Sequence, residues 1–440
     1  MFLFKVQLIK LKLEKFALKA YNSQQGSLMI LFSEAFKLTE AVRDPIWHHI
    51  YLTEALMNAA ASPAFRRLWK IQQLGPTSLV YPGATHTRAA HSFGVYHVAL
   101  RLLSTLCEKD ADQWVTRQGC ASFLAAALFH DIGHFPYTHS LKELPLKDHE
   151  DLSSELILSE PLKTLIAKTG ADPEQTAAIV SHKTTADDET RFFRILLSGV
   201  LDPDKLDYLN RDAYYCGVPY GIQDTDFILS RLKPDKQKGI YLDSASLMSI
   251  EHVLFSKYMM YRAVYWHKNV RIATAMMKKT IFAALKKNII CPEELYSLDD
   301  SSIYTLIGSK NFEEKSCAEQ LEKHSLFRIV AEIPFDENNR KHIELENLEK
   351  RTEAEAKLAE SAGTKLCNLL IDIPERISFE SNLWISGENC PFSASSTVFT
   401  PDTVKAFTQN LRIIRLGLCR DEATEQRVNK LKTEFEALLG

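Results

Sequence analysis

The sequence lacks any run of about 18 apolar residues, the length a membrane-spanning helix needs. It also lacks a C-x-x-C pair. Its eight cysteines, at positions 107, 120, 216, 291, 317, 367, 390 and 419, are scattered, which argues against a zinc ribbon or a redox dithiol. Scattered free thiols fit a reducing cytosol, so the expected location is cytoplasmic, with no membrane partner. The formal net charge is only −3, so there is no global basic field for nucleic acid. No internal repeat or low-complexity segment is present. What is present is 440 residues with 45% hydrophobic and 25% charged side chains, enough for one large globular domain or two ordinary ones.

Residues 2–20 mix apolar residues with Lys5, Lys10, Lys12, Lys15 and Lys19, and no small-residue cleavage site follows an apolar stretch. Two readings apply to residues 1–28. One is a surface-seeking amphipathic helix. The other, which the lack of a targeting pattern favours, is a non-native extension ahead of a start at Met29.

From about residue 50 to 290 the apolar spacing is helical. His91, Val95, Val98 and Leu102 step along one helix face. Ala121 to Phe129 is apolar nearly all round and reads as a buried helix, with Gly133 as its stop signal. Asp202-Pro203 predicts a capped helix to about Tyr215, stopped by Gly217. Glu251 to Lys287 reads as one or two long helices. After about residue 295, residues 326–333 and 366–373 read as short strands around a charged helix from Ile343 to Ala362. A final amphipathic helix, about 421–438, has an apolar face that could serve an interface. The expected fold is mainly α, with a helical core over 29–290 and a smaller C-terminal α+β lobe over 291–440, the latter for oligomerisation or regulation.

Seven of the fourteen histidines fall in two segments, HTRAAHSFGVYH (86–97) and FHDIGHFPYTHSLKELPLKDHE (129–150). One histidine on an apolar face is usually a satisfied core residue. Several with aspartates point to a hydrolytic cleft. Neighbouring side chains on a helix diverge by about 100°. His130 and Asp131 can converge on one ion only where the helix ends. Mixed imidazole and carboxylate ligation favours a transition metal. In DPDKLDYLNRD (202–212), Asp204, Tyr208 and Asp212 recur at i, i+4 and i+8 on one helix face, flanked by Lys205 and Arg211. The plainer alternative, a solvated charged helix, does not need Tyr208 on its acidic face.

These motifs resemble the HD-domain phosphohydrolases, whose ordered ligand signature H…HD…D is read here as His91, His130, Asp131 and Asp204. Within that superfamily the phrases DPIWHHIYL, FRRLWKIQQLG, YPGATHTRAAHSFGV, FHDIGHFPYTH, DPDKLDYLNRD and YRAVYWHKNV are similar to the deoxynucleoside triphosphate triphosphohydrolases over roughly residues 40–290. The resemblance implies an HD-domain helical core and a divalent metal, one of Mn, Fe, Mg, Zn, Co or Ni. It implies water attack at the α-phosphorus of a deoxynucleoside triphosphate, giving a deoxynucleoside and triphosphate. It places Arg88, Lys205, Lys257, Tyr208 and His139 at the phosphates. Gln73 and Asp212 match the pair that bonds the sugar 3′-hydroxyl, and Leu74 and Tyr265 match the gate against a 2′-hydroxyl. Lys257 replaces an arginine of the vertebrate members, which reduces a bidentate contact to a point charge. His139 is the matched proton donor, with His134, His149 and Glu150 supporting the water or the phosphates. A homo-oligomer, dimer or tetramer, is implied as well.

Two departures stand out. The relatives carry an aspartate three residues after the position of His139, where this chain has Lys142 followed by Glu143. The carboxylate that would orient the histidine is therefore missing from its usual place. The positions that read a guanine activator in the vertebrate members are Ala61, Arg66 and Trp69 here, so activation by guanine in that manner is not expected, and another nucleotide activator stays open. Two other functions compete. One is an HD phosphohydrolase for another nucleotide phosphate ester. The other is a non-catalytic nucleotide- or nucleic-acid-binding protein using Arg231, Lys233, Lys236 and Lys238, whose plainer reading is a solvated loop around Pro234.

Overall fold

The computed structural model describes residues 37–377 and 383–440, so the reading of residues 1–28 lies outside the described residues. A hairpin of β1 (Glu40–Asp44) and β2 (His48–Leu52) leads into the helical body. Its main helices are α1 (Arg88–Cys107), α2 (Arg117–Phe129), α3 (His149–Ile157), α4 (Pro203–Cys216), α5 (Leu247–Met260) and α6 (Lys268–Lys286). Between α4 and α5 lies the β3 (Lys233–Asp235) and β4 (Gly239–Leu242) hairpin. Pro234 is therefore in a strand rather than a loop, and Lys238 lies 3.6 Å from the ring centre of Trp384. The C-terminal part holds β5 (Arg328–Pro334), α7 (Leu348–Ala362), β6 (Leu369–Asp372), β7 (Trp384–Ile385), β8 (Cys390–Pro391), β9 (Ile413–Leu418) and α8 (Glu425–Leu439). The fold is mainly α with small sheets.

Local chemistry sets the helix ends. Thr87 and Thr116 cap α1 and α2, and the Asp202 side chain accepts the Lys205 amide at 2.6 Å to cap α4. Gly217, at φ 67°, closes α4 in the left-handed conformation. Gly133 does not act as a helix stop. The helix before it already ends at Phe129, and Gly133 instead allows a close approach: a Cβ there would collide with the His149 carbonyl and the Ser153 amide. Ser153 Oγ accepts the Gly133 amide at 2.9 Å and donates to the His130 carbonyl at 2.6 Å. The turn carrying His130 and Asp131 is thereby joined to α3, which carries His149.

Three apolar cores follow. The first lies among α1, α2, α4 and α5 and also takes in Leu383, Ile385, Phe392 and Phe399 from the C-terminal part. These residues arrive because β7 pairs in parallel with β4, in a sheet ordered β3-β4-β7-β8. The second core surrounds α6. The third lies on the antiparallel sheet β5-β9-β6. The apolar face of α8 is spent there: Leu431, Phe435 and Leu439 are buried on that sheet, so this face is not available for an interface. The charged helix also differs from expectation. It breaks into Arg340–Glu344 and α7, because the Asn347 side chain accepts the Glu349 and Lys350 amides and starts a new helix. The second strand is shorter than its apolar run, since Leu366–Asn368 forms a 3-10 turn.

Helices α1 and α4 pack side by side at Gly94. A Cβ at this position would meet the Asp207 carboxylate and the Arg211 guanidinium. Gly94→Ala is therefore expected to destabilise the chain by about 1–3 kcal/mol through overpacking. The check is a denaturant titration, in which an unchanged midpoint would contradict this packing.

Candidate active site

Four segments bring the histidines and aspartates together. The first turn of α1 presents His91, the end of α2 presents His130-Asp131, α3 begins with His149, and α4 presents Asp204, Tyr208 and Asp212. His91 Nε2 lies 2.9 Å from Asp204 Oδ1, and His130 Nε2 lies 3.8 Å from the same oxygen. Ligand atoms of His91, His130 and Asp131 all fall within 4.8 Å of one another.

The ring tautomers suit a cation. His130 Nδ1 donates to the Ala127 carbonyl at 2.9 Å, which leaves Nε2 as a lone-pair donor, buried and without a hydrogen-bond partner. His91 Nδ1 contacts Asp207 Oδ2 at 2.8 Å, so its Nε2 faces Asp204. Burial opposes charge on His91, but hydrogen bonds to Asp204 and Asp207 outweigh it and raise the imidazole to about 10. A shared divalent cation would take the place of the proton held between His91 and Asp204. Two imidazoles and two carboxylates form a donor set that fits a transition metal.

Asp207 escaped the motif reading, because it sits one residue off the Asp204–Tyr208–Asp212 face. It is fully buried and saturated. Besides His91, it accepts Arg211 Nε at 2.8 Å, Arg211 Nη2 at 2.9 Å and Trp47 Nε1 at 2.5 Å. Burial pushes its carboxyl up, but Arg211 and His91 outweigh this and hold it ionised. Arg211, expected to flank the acidic face, instead lies fully buried behind it and also bonds Asp44 at 2.8 Å. Its i,i+4 spacing from Asp207 was the available sequence signal. Arg67 was missed too. Its guanidinium donates to the carbonyls of Ile132 and His134, which fixes the turn after His130 and Asp131.

Beside these groups lies a cavity of about 750 Å³, within the usual range for a small-molecule site. Its lining includes Gln73, Leu74, Arg88, His130, Asp131, His139, His149, Glu150, Asp204, Lys205, Tyr208, Asp212 and Tyr265. His91 and His134 stand behind the wall, and Lys257, one turn before Tyr261 on α5, is not part of the lining. Asp212 accepts Tyr265 Oη at 2.7 Å and lies 2.8 Å from His86 Nε2. Gln73 Oε1 is buried with no partner. Tyr265 belongs to a π-helical turn, Tyr261–Tyr265, that separates α5 from α6.

On the far side of Asp131, three imidazoles cluster: ring centres of His134 lie 4.1 Å from His149 and 4.8 Å from His139. Burial, then the Arg88 charge, keeps His134 and His139 well below the usual imidazole range, so both are neutral. Asp131 is pushed up by burial but held well down by the His134 ring nitrogen 3.1 Å away, by His130 and by the charge of Arg88, whose Nη1 lies 2.6 Å from it. Among the described residues no carboxylate hydrogen-bonds or ion-pairs with His139 in place of the missing aspartate. Lys142 is exposed, and Glu143 turns away to Arg351 at 3.0 Å and to Lys278.

Comparison with known proteins matches an HD domain over residues 88–212 and an HD-associated region over 224–435. The chain belongs to the HD-domain superfamily. An uncharacterized protein of Bacillus subtilis is 34% identical over 56% of this HD protein and 57% of its own length. The human deoxynucleoside triphosphate triphosphohydrolase SAMHD1 is 25% identical over 76% of this chain and 62% of its own. A solved hypothetical protein from Aquifex aeolicus has 26% identity and a TM-score of 0.70, covering 89% of this chain and 100% of that one. The HD protein thus spans little more than half the length of the Bacillus relative.

Two predictions concern the buried support of the site. Asp207→Asn should weaken divalent metal affinity by about 10–100-fold, the usual effect of losing a carboxylate behind a ligating histidine. Metal analysis and calorimetric titration with Mn would show it, and unchanged affinity would remove Asp207 from this role. His97, stacked on Trp47 at 5.5 Å, is lowered to about 3 by burial, aided by Arg101. Below about pH 6.5 the unfolded chain binds a proton that folded His97 refuses, so stability falls as pH drops towards 3. His97→Phe should flatten the slope of melting temperature against pH between 6.5 and 4. An unaltered slope would contradict the assignment.

Proposed function

We propose that this HD protein hydrolyses deoxynucleoside triphosphates to a deoxynucleoside and triphosphate, cleaving between the 5′ oxygen and the α-phosphorus. The observation that carries the reading is one cavity whose lining holds His130, Asp131 and Asp204, with His91 behind the wall against Asp204, together with Arg88, Lys205, Tyr208, Gln73, Asp212 and Tyr265. His91, His130, Asp131 and Asp204 would hold the divalent metal. When bound, such an ion supplies an acidified water and neutralises phosphoryl oxygens. Arg88 and Lys205 add charge stabilisation at the phosphates.

The sugar end suits a deoxynucleoside. Gln73 Oε1 has no partner and can accept from a 3′-hydroxyl, as can Asp212. The Tyr265 ring, tied to Asp212, and Leu74 would occupy the space of a 2′-hydroxyl. His139, neutral in the free chain, would gain a proton when the polyphosphate charge arrives, and would deliver it to the leaving 5′ oxygen. His134, His149 and Glu150 would orient the water and phosphate oxygens.

Residues 29–290 then act as the hydrolase domain, and 291–440 as an accessory lobe whose segment 375–377 reaches the cavity. The same reading carries a cytoplasmic homo-oligomer, and no helix among the described residues is long and apolar enough to cross a membrane. A second reading, a shorter nucleotide phosphate ester, is favoured by one observation: Lys257 lies outside the cavity lining.

Purified protein assayed with each deoxynucleoside triphosphate and Mn should release triphosphate and deoxynucleoside, with ribonucleotides at least about tenfold poorer, as expected when a site rejects an added hydroxyl. Asp204→Ala should abolish turnover. Release of pyrophosphate and a monophosphate, or turnover of monophosphates alone, would refute the proposal.

A further inference from the structure

Five cations line the cavity: Arg88, Lys142, Lys205, Arg271 and Arg376. Three of them are already engaged. Arg88 bonds Asp131, Lys205 bonds Asp202 at 2.6 Å, and Arg271 is saturated by Asp372 and Glu375. The other two are different. Lys142 makes no hydrogen bond or close ion pair among the described residues and is exposed. Arg376 is 60% exposed, and its one ion pair, to Glu346 Oε2, is long at 3.5 Å. Glu346 is already claimed at 2.7 Å by Arg412.

These two cations come from opposite parts of the chain, yet the fold brings them to one side of the cavity. Lys278 bonds both Glu143, next to Lys142, and Glu375, next to Arg376. Arg271 and Arg412 anchor the backbone before Arg376 by donating to its carbonyls: Arg271 Nη2 donates to Ile373 at 3.1 Å and Arg412 Nε to Pro374 at 3.0 Å. The backbone is therefore held at two carbonyls, while the Arg376 head group makes a single long ion pair among the described residues. Two solvated cations facing a cavity, one with only a long carboxylate contact and the other with none among the described residues, repel each other less when an anion lies between them.

We propose that Lys142 and Arg376 form a clamp across the two lobes for the far end of a polyphosphate tail. The inference rests on the nucleoside triphosphate reading of the same cavity. The clamp would hold the terminal phosphate, the end that Lys257 does not reach from outside the lining. Arg376 would supply the planar bidentate contact and Lys142 the point charge. Lys142 then has a purpose at the position where the relatives carry an aspartate.

The test is calorimetric titration of the full-length chain with inorganic tripolyphosphate at low salt, with orthophosphate as comparator. Lys142→Gln and Arg376→Gln should each weaken tripolyphosphate binding by about five- to tenfold, the size of one lost solvent-exposed hydrogen bond. Orthophosphate affinity should stay within about twofold, because one phosphate held by Arg88 and Lys205 does not reach the clamp. Arg376→Lys should recover part of the loss. Both side chains are exposed, so the melting temperature should not move. Tripolyphosphate affinity unchanged in both variants, an equal loss for orthophosphate, or no tripolyphosphate binding by the wild-type chain would each overturn the clamp. Failure of the functional reading shows up separately, as a wild-type chain that binds tripolyphosphate but turns over no deoxynucleoside triphosphate.

Discussion

A carboxylate buried without partners would be among the most costly groups in the molecule, and Asp207 avoids that cost only by bonding groups from three separate segments. Arg211 comes from its own helix, His91 from α1 and Trp47 from the turn after β1. Removing any partner would leave a buried charge exposed to the apolar core, the situation that makes broken buried ion pairs so destabilising. The consequence is geometric. His91 can adopt only the ring orientation that hands its second nitrogen to Asp204, and α1 and α4 can approach only where Gly94 leaves room. The placement of His91 against Asp204 is thus a by-product of satisfying one buried charge.

A second set of buried charges organises the other wall of the cavity. Arg271 on α6 binds Asp372 at the end of β6 and Glu375 just beyond it, while Lys278 on the same helix joins Glu375 to Glu143. Burial raises the cost of ionising Glu375, but Arg271 and Lys278 outweigh it and bring the carboxyl down to about 2. The C-terminal part is therefore attached to the helical body by charge pairs as well as by the β4–β7 pairing. Its position decides which side chains face the cavity. A change in the packing of this part would move Arg376 and the loop holding His139 together, since both hang on the same lysine.

Much of the helical body was legible from periodicity and caps. The helix from Pro203 and its glycine stop, the buried helix ending at Phe129, and the change to strands in the C-terminal part all follow from local chemistry. The misreadings share a cause. Gly133 resembles a stop signal, yet its missing side chain makes room for a backbone 16 residues and more away. The apolar face of α8 looked free because its sheet is built from distant strands. Asn347 breaks a run of good helix formers, since a side chain that caps two amides outweighs continued propensity.

The sequence by itself determined the order of His91, His130-Asp131 and Asp204, the helix face of Asp204, Tyr208 and Asp212, and the superfamily, because each depends on spacing within one helix or on residue order. Tertiary structure decided which of the remaining charges serve the site. Trp47 reaches Asp207 across 160 residues, Arg351 reaches Glu143 across 208, and Arg211 turns inward although its spacing would also suit a solvated helix. Such pairings obey no periodicity. They arise because every buried charge must find an opposite charge or a hydrogen bond wherever the packed chain supplies one, and that partner has no fixed place in the sequence.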